Sequence, residues 1–131
     1  MATMTDRRAV RGWVEAYEHA WRTPGTAALP ALFTADATYL HSPYEEPVVG
    51  VDAIGRMWEE DREPNEVFTL STEVVAVDDR TAVVRAEVQY GQPVHQEYRD
   101  MWILQVEADG RCSRFEEWPY WPGRSYAPRE S

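Results

Sequence analysis

The segment TAVVRAEVQYGQPVHQEYRDMWILQVEADGRCSRFEEW, residues 81–118, decides the fold. It contains three runs rich in β-branched and aromatic residues, Thr81–Tyr90, Val94–Glu107 and Arg111–Trp118. Turn signals separate them, at Gly91-Gln92-Pro93 and at Asp109-Gly110. Because connections this short join antiparallel neighbours, the segment predicts a β-meander.

Outward from this segment, a fourth strand and three helices are predicted. The run Glu66–Val77 precedes the meander and turns into it at Asp78-Asp79-Arg80. Three helices precede that strand: one from a cap at Thr5 or Asp6 to Arg22, a short one in AALPALF after Thr26, and one from Gly50-Val51-Asp52 to near Pro64-Asn65. Their inward residues, at helical spacing, are Val10, Trp13, Val14, Tyr17 and Trp21 on the first and Val51, Ile54 and Trp58 on the third.

Helices followed by a meander are typical of an α+β fold. We expect a cone-shaped, curved antiparallel sheet wrapped around the N-terminal helices, with a central pocket between sheet and helices. The 131 residues suit one domain, 1–131, in which about 1–4 and 122–131 are flexible or extended tails.

Composition excludes several classes of function. With 23 acidic and 13 basic residues the formal net charge is −10, so nucleic acids and anionic membrane surfaces are not expected partners. No run approaches the roughly 18 apolar residues of a membrane span, and no signal peptide is visible. A single cysteine, Cys112, excludes an internal disulfide and fits the cytoplasm.

The stretch ATYLHSPYEEPVVG, residues 37–50, predicts the first strand and a loop. Strand alternation from Ala37 to Ser42 places His41 on the same face as Ala37 and Tyr39. The proline-containing loop that follows would form the rim of a pocket, together with the aromatic residues of EWPYWPG at the C-terminal end. A histidine beside a tyrosine on a core-facing strand is a candidate acid–base group or a hydrogen-bonded core residue.

The chain resembles the nuclear transport factor 2-like superfamily, and within it the SnoaL-like and ketosteroid isomerase-like proteins. The resemblance rests on ALFTADATYLHSPYEEPVVGVDAI, on YRDMWILQVEADGR and on RFEEW, and it covers nearly the whole chain. It implies the cystatin-like roll described above and a homodimer formed through the outer sheet face. It does not determine the reaction, since this fold hosts isomerases, cyclases, dehydratases, epoxide hydrolases and proteins without known chemistry.

Three positions are carried over from the ketosteroid isomerase-like pattern. The isomerase's oxyanion-binding tyrosine falls on Tyr17, its general-base aspartate on His41, and its protonated aspartate on Trp102. The tyrosine is kept and the two carboxylates are replaced, so the steroid reaction itself is in doubt. Imidazole is a suitable base near neutral pH, a phenol can donate to an oxyanion, and an indole N–H is a weaker donor.

Asp100 is the third candidate catalytic residue. Alternation places Tyr98, Asp100, Trp102 and Leu104 on one strand face. A buried carboxylate needs a partner, and His41 or Tyr17 would make Asp100 an orienting group or second acid. Pairing with Arg85 or Arg99 would instead make it purely structural.

On the last strand, alternation places Phe115 and Glu117 on one face and Cys112, Arg114 and Glu116 on the other. We expect the substrate pocket to be lined by aromatic residues and one carboxylate: Trp102, Tyr98, Tyr39, Glu117, Phe115, Trp58, Trp13 and Trp118.

The sequence indicates no cofactor and no metal site, since the three histidines show no short ligand spacing. A nucleophilic role for Cys112 is not expected. The Asp–Arg–Asp arrangement of related epoxide hydrolases is not reproduced, because its arginine and first aspartate fall near Glu87 and Gln89. Glu117 lies about where the second carboxylate would be.

The leading hypothesis is a cofactor-independent acid–base enzyme of the isomerase, cyclase or dehydratase type. It would act on a small apolar carbonyl compound, with His41 as base, Tyr17 as oxyanion donor and Asp100 as orienting group. The alternatives are a ligand-binding or accessory module without catalysis and an epoxide hydrolase-like hydrolase.

Overall fold

The computed structural model describes residues 5–62 and 67–126. The predicted tail 1–4, residues 127–131 of the predicted tail 122–131, and the predicted end of the third helix near Pro64-Asn65 lie outside these ranges. The elements, in chain order, are α1 Arg7–Arg22, α2 Leu29–Leu32, β1 Phe33–Leu40, β2 Val48–Val49, α3 Val51–Asp61, β3 Phe68–Asp78, β4 Thr81–Tyr90, β5 Gln96–Val106 and β6 Cys112–Tyr120.

The strands form one curved, unclosed sheet in the order β2-β1-β6-β5-β4-β3. Consecutive strands from β3 to β6 pair antiparallel, which is the predicted meander. Strand β1 joins β6 in parallel, and β2 pairs antiparallel at the edge. The predicted α+β fold class is therefore confirmed. The parallel β1–β6 pair was not predicted, because short turns indicate only antiparallel neighbours.

Helix α1 forms where the sequence predicts it. The Asp6 carboxylate accepts a hydrogen bond from the backbone N–H of Ala9 at 2.8 Å, which caps the first turn. The residues at helical spacing are buried against the sheet: Val10, Trp13, Val14, Tyr17 and Ala20. Trp21, at the edge of this face, stacks on Phe68 of β3 with ring centroids 4.5 Å apart.

The second helix and the first strand differ from the prediction. Helix α2 has only four residues and ends at Leu32, and β1 begins at Phe33 rather than Ala37. Phe33 pairs with Cys112 of β6, so contact with the last strand, not local preference, determines this boundary. The two-residue strand β2 was not predicted.

The predicted face of Cys112 is wrong. Cys112 and Phe115 are both fully buried, although three residues apart, because the β5–β6 register shifts between Gln105 and Val106. A bulge of this kind returns a strand to the same face after an odd number of residues. The predicted faces of β5 hold, with Asp100, Trp102 and Leu104 all buried.

Candidate functional site

A cavity of about 190 Å³ lies between the helices and the open part of the sheet. Helix α1, helix α3 and the strands β1, β4, β5 and β6 all contribute to its wall. The lining residues are Tyr17, Trp21, Tyr39, His41, Met57, Trp58, Asp61, Arg62, Tyr90, Tyr98 and Glu117. Of the residues expected at the site from sequence, Tyr17, Tyr39, His41, Trp58, Tyr98 and Glu117 are on this wall.

Two phenols and a carboxyl group form a hydrogen-bonded chain along the wall. The Tyr39 hydroxyl donates to Glu117 Oε2 at 3.0 Å, and the Tyr17 and Tyr39 hydroxyls are 3.1 Å apart. Because Tyr39 gives its only proton to Glu117, Tyr17 is the donor to Tyr39. Burial raises the pKa of both Tyr17 and Tyr39 well above the ordinary value of 10.0, which keeps both phenols neutral.

Asp100 lies behind this chain and is only 2% exposed. Its Oδ2 accepts from Trp102 Nε1 and its Oδ1 from the backbone N–H of Trp118, both at 3.0 Å. Its further partners are the carboxyl group of Glu117 and the backbone N–H of Met101. Burial raises the pKa of Asp100, and these hydrogen bonds act against the increase.

Neither partner predicted for Asp100 is the one observed. The expected contact with His41 or Tyr17 is not among the hydrogen bonds of Asp100 within the described ranges. The predicted pairing with an arginine is also not observed, because Arg85 pairs with Glu73 at 3.1 Å and Arg99 with Glu87 at 3.4 Å on exposed surface. Cross-strand pairing explains the difference, since Trp102 lies directly opposite Glu117 and brings the Glu117 carboxyl next to Asp100.

Glu117 joins the buried carboxylate to the cavity. Its side chain is 15% exposed, it accepts from Tyr39, and it is hydrogen-bonded to Asp100. Burial, followed by the nearby charge of Asp100, raises the pKa of Glu117 well above its ordinary value of 4.5. The sequence placed Glu117 on the pocket wall but gave no signal of its pairing with Asp100.

His41 follows β1 at the opening of the cavity and is 34% exposed. Its Nδ1 lies 3.9 Å from Glu117 Oε2, and its Nε2 lies 3.9 Å from Asp61 Oδ2 and contacts Met57 Sδ. The imidazole therefore stands between a mostly buried carboxyl group and an exposed one. This position suits a group that exchanges protons with both the cavity and the solvent.

Residues 14–115 match the family model of the SnoaL-like domain. The chain belongs to the SnoaL-like domain family. The predicted resemblance to the nuclear transport factor 2-like superfamily is thereby confirmed. No curated protein matches the sequence.

Solved structures of the same fold carry several different functional assignments. A protein from Sinorhizobium meliloti assigned as a polyketide cyclase has 25% sequence identity and a TM-score of 0.65, over 83% of this chain and 97% of that one. A protein from Kribbella flavida assigned as a ketosteroid isomerase has 23% identity and a TM-score of 0.66, over 98% and 88%. An LEH-like epoxide hydrolase from M. tuberculosis has 15% identity and a TM-score of 0.67, over 86% and 82%.

Four residues expected in the pocket of this SnoaL-like domain lie elsewhere. Trp102 and Phe115 are buried behind the cavity wall, at 1% and 0% exposure, and Trp13 donates from Nε1 to the carbonyl of Leu32 in the core. Trp118 lies on an outer groove that adjoins the cavity. Large aromatic side chains on inward faces commonly fill the core. Strand alternation identifies the inward face, but it does not distinguish a core residue from one that lines a pocket.

The outer groove has a volume of about 1070 Å³ and shares His41, Asp61, Tyr90, Tyr98 and Glu117 with the cavity. The loop residues 42–45 and the aromatic residues Trp118, Tyr120 and Trp121 form its sides. Tyr44 is fully exposed there. The loop and the C-terminal aromatic residues therefore lie around the cavity opening, where the sequence placed them.

Sequence reasoning missed five lining residues: Trp21, Met57, Asp61, Arg62 and Tyr90. Trp21 follows Tyr17 by one helical turn, and Tyr90 continues the inward alternation of β4, so both carried a usable signal. Asp61 and Arg62 gave none, because they end a helix whose polar residues are ordinarily solvated.

The described residues contain no group of three or more His, Cys, Asp or Glu side chains that could hold a metal ion. Burial raises the pKa of the Cys112 thiol to about 12, which leaves it protonated and unreactive near neutral pH. Within the described ranges, no helix combines the length and apolarity needed to cross a membrane.

Proposed function

We propose that the protein is a cofactor-independent acid–base enzyme of the isomerase, cyclase or dehydratase type, acting on a small, largely apolar carbonyl compound. The observation that carries the proposal is the placement of His41 Nδ1 3.9 Å from Glu117 Oε2 on the wall of one cavity. Two titratable groups whose environments differ this much are the usual basis of an acid–base assignment.

His41 would act as the general base. An imidazole nitrogen takes a proton from the carbon next to the substrate carbonyl, and the electron pair of that C–H bond moves toward the carbonyl oxygen. Tyr39 would replace Tyr17 as the group that donates to the developing oxyanion. Tyr39 can redirect its hydroxyl from Glu117, whereas the hydroxyl of Tyr17 donates to Tyr39.

Aromatic residues supply the rest of the cavity wall and indicate the size and polarity of the substrate. Trp21, Trp58, Tyr90 and Tyr98 surround the polar groups. A cavity of about 190 Å³ holds one small ring, and a larger substrate would extend into the outer groove.

Exchange of carbon-bound protons with solvent tests the proposal without knowledge of the natural substrate. Small cyclic and aryl ketones are incubated with the protein in D₂O, and loss of the α-proton signal is followed by NMR. We expect exchange faster than in buffer, reduced by roughly 10²–10⁴-fold in His41→Gln and also reduced in Tyr39→Phe. His19→Gln, which changes an exposed histidine on α1, is the matched control and should exchange like the wild type.

A ligand-binding module without catalysis is the second candidate. It is favoured by one observation: among the described residues, every buried side-chain nitrogen and oxygen already has a hydrogen-bond partner. A hydrogen-bond donor that already has an acceptor is not available to bind an oxyanion. Binding of ketones that quench tryptophan fluorescence, with no proton exchange above buffer in any of them, would favour the module over the enzyme.

Epoxide hydrolysis is a third candidate, supported by the structural similarity to the M. tuberculosis epoxide hydrolase. The inward positions of β4 in this chain hold Ala86, Val88 and Tyr90, while Glu87 and Gln89 face outward. Glu117, on the cavity wall, is thus the carboxyl group that would take part in this reaction. Diol formation from small epoxides, abolished in Glu117→Gln and retained in His41→Gln, would favour this reaction over carbonyl chemistry.

A further inference from the structure

We propose that Asp100 and Glu117 share a single proton and act as one unit of charge −1, and that this unit restricts the cavity to uncharged ligands. The inference names the substrate class of the proposed enzyme and in that respect rests on the proposed function. Its test requires no turnover, so its failure can be told from a failure of catalysis.

The argument begins with the hydrogen-bonding capacity of the two carboxyl groups. Two ionised carboxylates are acceptors only, so a hydrogen bond between them requires one proton. Glu117 lies directly opposite Trp102 on the neighbouring strand, which places its side chain beside that of Asp100 on the same sheet face, and the two carboxyl groups make such a hydrogen bond. Asp100 is 2% exposed and Glu117 15%, so two adjacent negative charges would have little water to separate them.

The other partners indicate which residue holds the charge. Both oxygens of Asp100 accept N–H groups, from Trp102 Nε1 and from the backbone of Trp118, each at 3.0 Å. Two fixed donors stabilise an ionised carboxylate. Glu117 accepts the neutral hydroxyl of Tyr39 at 3.0 Å and shares the indole N–H of Trp102 with Asp100, whereas Asp100 alone accepts the backbone N–H of Trp118. The proton is therefore held mainly by Glu117, and Asp100 is a positioning residue that acts through it.

The arginine on the cavity wall, Arg62, makes its hydrogen bonds to backbone carbonyls rather than to the carboxyl groups of the unit. The titratable and charged groups that face the unit come from every packed element: Tyr17 of α1, Tyr39 and His41 at β1, Asp61 and Arg62 at the end of α3, Tyr90 of β4 and Tyr98 of β5. The Arg62 guanidinium donates to the carbonyls of Thr23, Gly25 and Ala20, at 2.7, 3.0 and 3.4 Å. These hydrogen bonds direct the guanidinium to the C-terminal end of α1, where a positive charge interacts favourably with the helix dipole.

An anionic ligand would meet the charge of the unit, and that of Asp61 at the opening, in a mostly desolvated space. At about 6 Å and an effective dielectric constant near 20, one such repulsion costs roughly 3 kcal/mol, or about a hundredfold in affinity. An uncharged carbonyl or amide of the same shape escapes this cost. We therefore assign ketones, amides and similar neutral acceptors to the cavity, and exclude carboxylates.

Infrared spectroscopy tests the shared proton. At neutral pH in D₂O, we expect the C=O stretch of a protonated carboxylic acid in the wild type and its loss in Glu117→Gln. In Tyr39→Phe the band should persist to a higher pH than in the wild type, because the Tyr39 hydroxyl lowers the pKa of Glu117. Absence of the band from the wild type, or its persistence in Glu117→Gln, would overturn the proposal.

Benzamide and benzoate, a neutral and an anionic probe of similar shape, test the ligand class. Their binding is followed through the tryptophan fluorescence at about pH 8. Glu117→Gln leaves Asp100 ionised and should keep the preference for benzamide. The double variant Asp100→Asn/Glu117→Gln removes the charge and should reduce that preference by at least about tenfold. Equal affinity of the wild type for both probes, or an unchanged preference in the double variant, would contradict the assignment.

Discussion

The acid–base groups of the site differ in their access to water, and this difference gives each a separate role. Asp100 is 2% exposed, Glu117 15% and His41 34%, so the three form a gradient from core to solvent. Burial disfavours the charged form of a carboxyl group, and exposure restores it. Glu117, in the middle of the gradient, is the group whose protonation differs most clearly between the folded and the unfolded chain.

This difference predicts a pH dependence of stability. Above pH 4.5, the ordinary pKa of Glu117, the unfolded chain releases this proton while the folded protein, whose Glu117 pKa is raised, retains it. Unfolding then releases a proton, so the free energy of unfolding falls as pH rises, by up to about 1.4 kcal/mol per unit. Glu117→Gln should flatten the dependence measured by urea unfolding between about pH 5 and 7.

Asp109 provides a control of opposite sign. The backbone N–H and the guanidinium of Arg111 lower the pKa of Asp109 below its ordinary 3.8, so its contribution is present above that value and is lost as pH falls. Asp109→Asn should leave the slope between about pH 5 and 7 unchanged. Equal slopes in the wild type and Glu117→Gln would show that Glu117 releases its proton in the folded state.

At the level of elements, local sequence signals predicted the helices and hairpins. The cross-strand register determines which side chains meet at the site, and local signals do not reveal it. The turn residues at 91–93 and 109–110 identified the meander, and helical spacing identified α1 and α3. The bulge that turns Cys112 inward and the opposition of Trp102 to Glu117 are properties of two strands together. Tyr17, Tyr39 and His41 could therefore be placed from sequence, whereas the pairing of Asp100 with Glu117 could not.

The start of α3 depends on the backbone freedom of one glycine. Gly50 is the N-cap residue at φ 93° and ψ 143°, a conformation that residues with a Cβ rarely adopt. Gly50→Ala should lower the free energy of unfolding by about 1–3 kcal/mol through backbone strain. A Cβ would meet only the carbonyl oxygen of Ala35, at 3.7 Å, so crowding adds little.

Gly12 allows the opposite substitution as a matched control. It lies on the exposed face of α1, and a Cβ there would meet nothing within 4 Å. Gly12→Ala should raise the free energy of unfolding by about 0.5–1 kcal/mol, because alanine has the higher helix propensity. Both changes are measured by urea unfolding at one pH. A stabilising Gly50→Ala would refute the argument that a positive φ is required there.

For the whole molecule, the helices cover one face of the sheet and leave the other without a covering layer among the described elements. Val83, Met101 and Ile103 lie next to one another on this outer face and are half-buried. The ion pairs Arg85–Glu73 and Arg99–Glu87 flank them. An apolar centre within a charged surround is the usual composition of a protein–protein interface, and we propose that a second copy of the chain covers it.

The mass in solution tests this homodimer. We expect sedimentation of the wild type at about twice the 15.1 kDa of one chain, and of Ile103→Asp at the mass of one chain. A charge at the centre of the face would be desolvated without a partner on association. Val94→Asp, which changes an exposed apolar residue in the β4–β5 turn, should remain dimeric. A monomeric wild type would refute the homodimer. An Ile103→Asp variant that still dimerises would show that the interface lies on another face. Because Ile103 and the cavity lie on opposite faces of the sheet, the monomeric variant should retain the benzamide preference, which separates assembly from ligand binding.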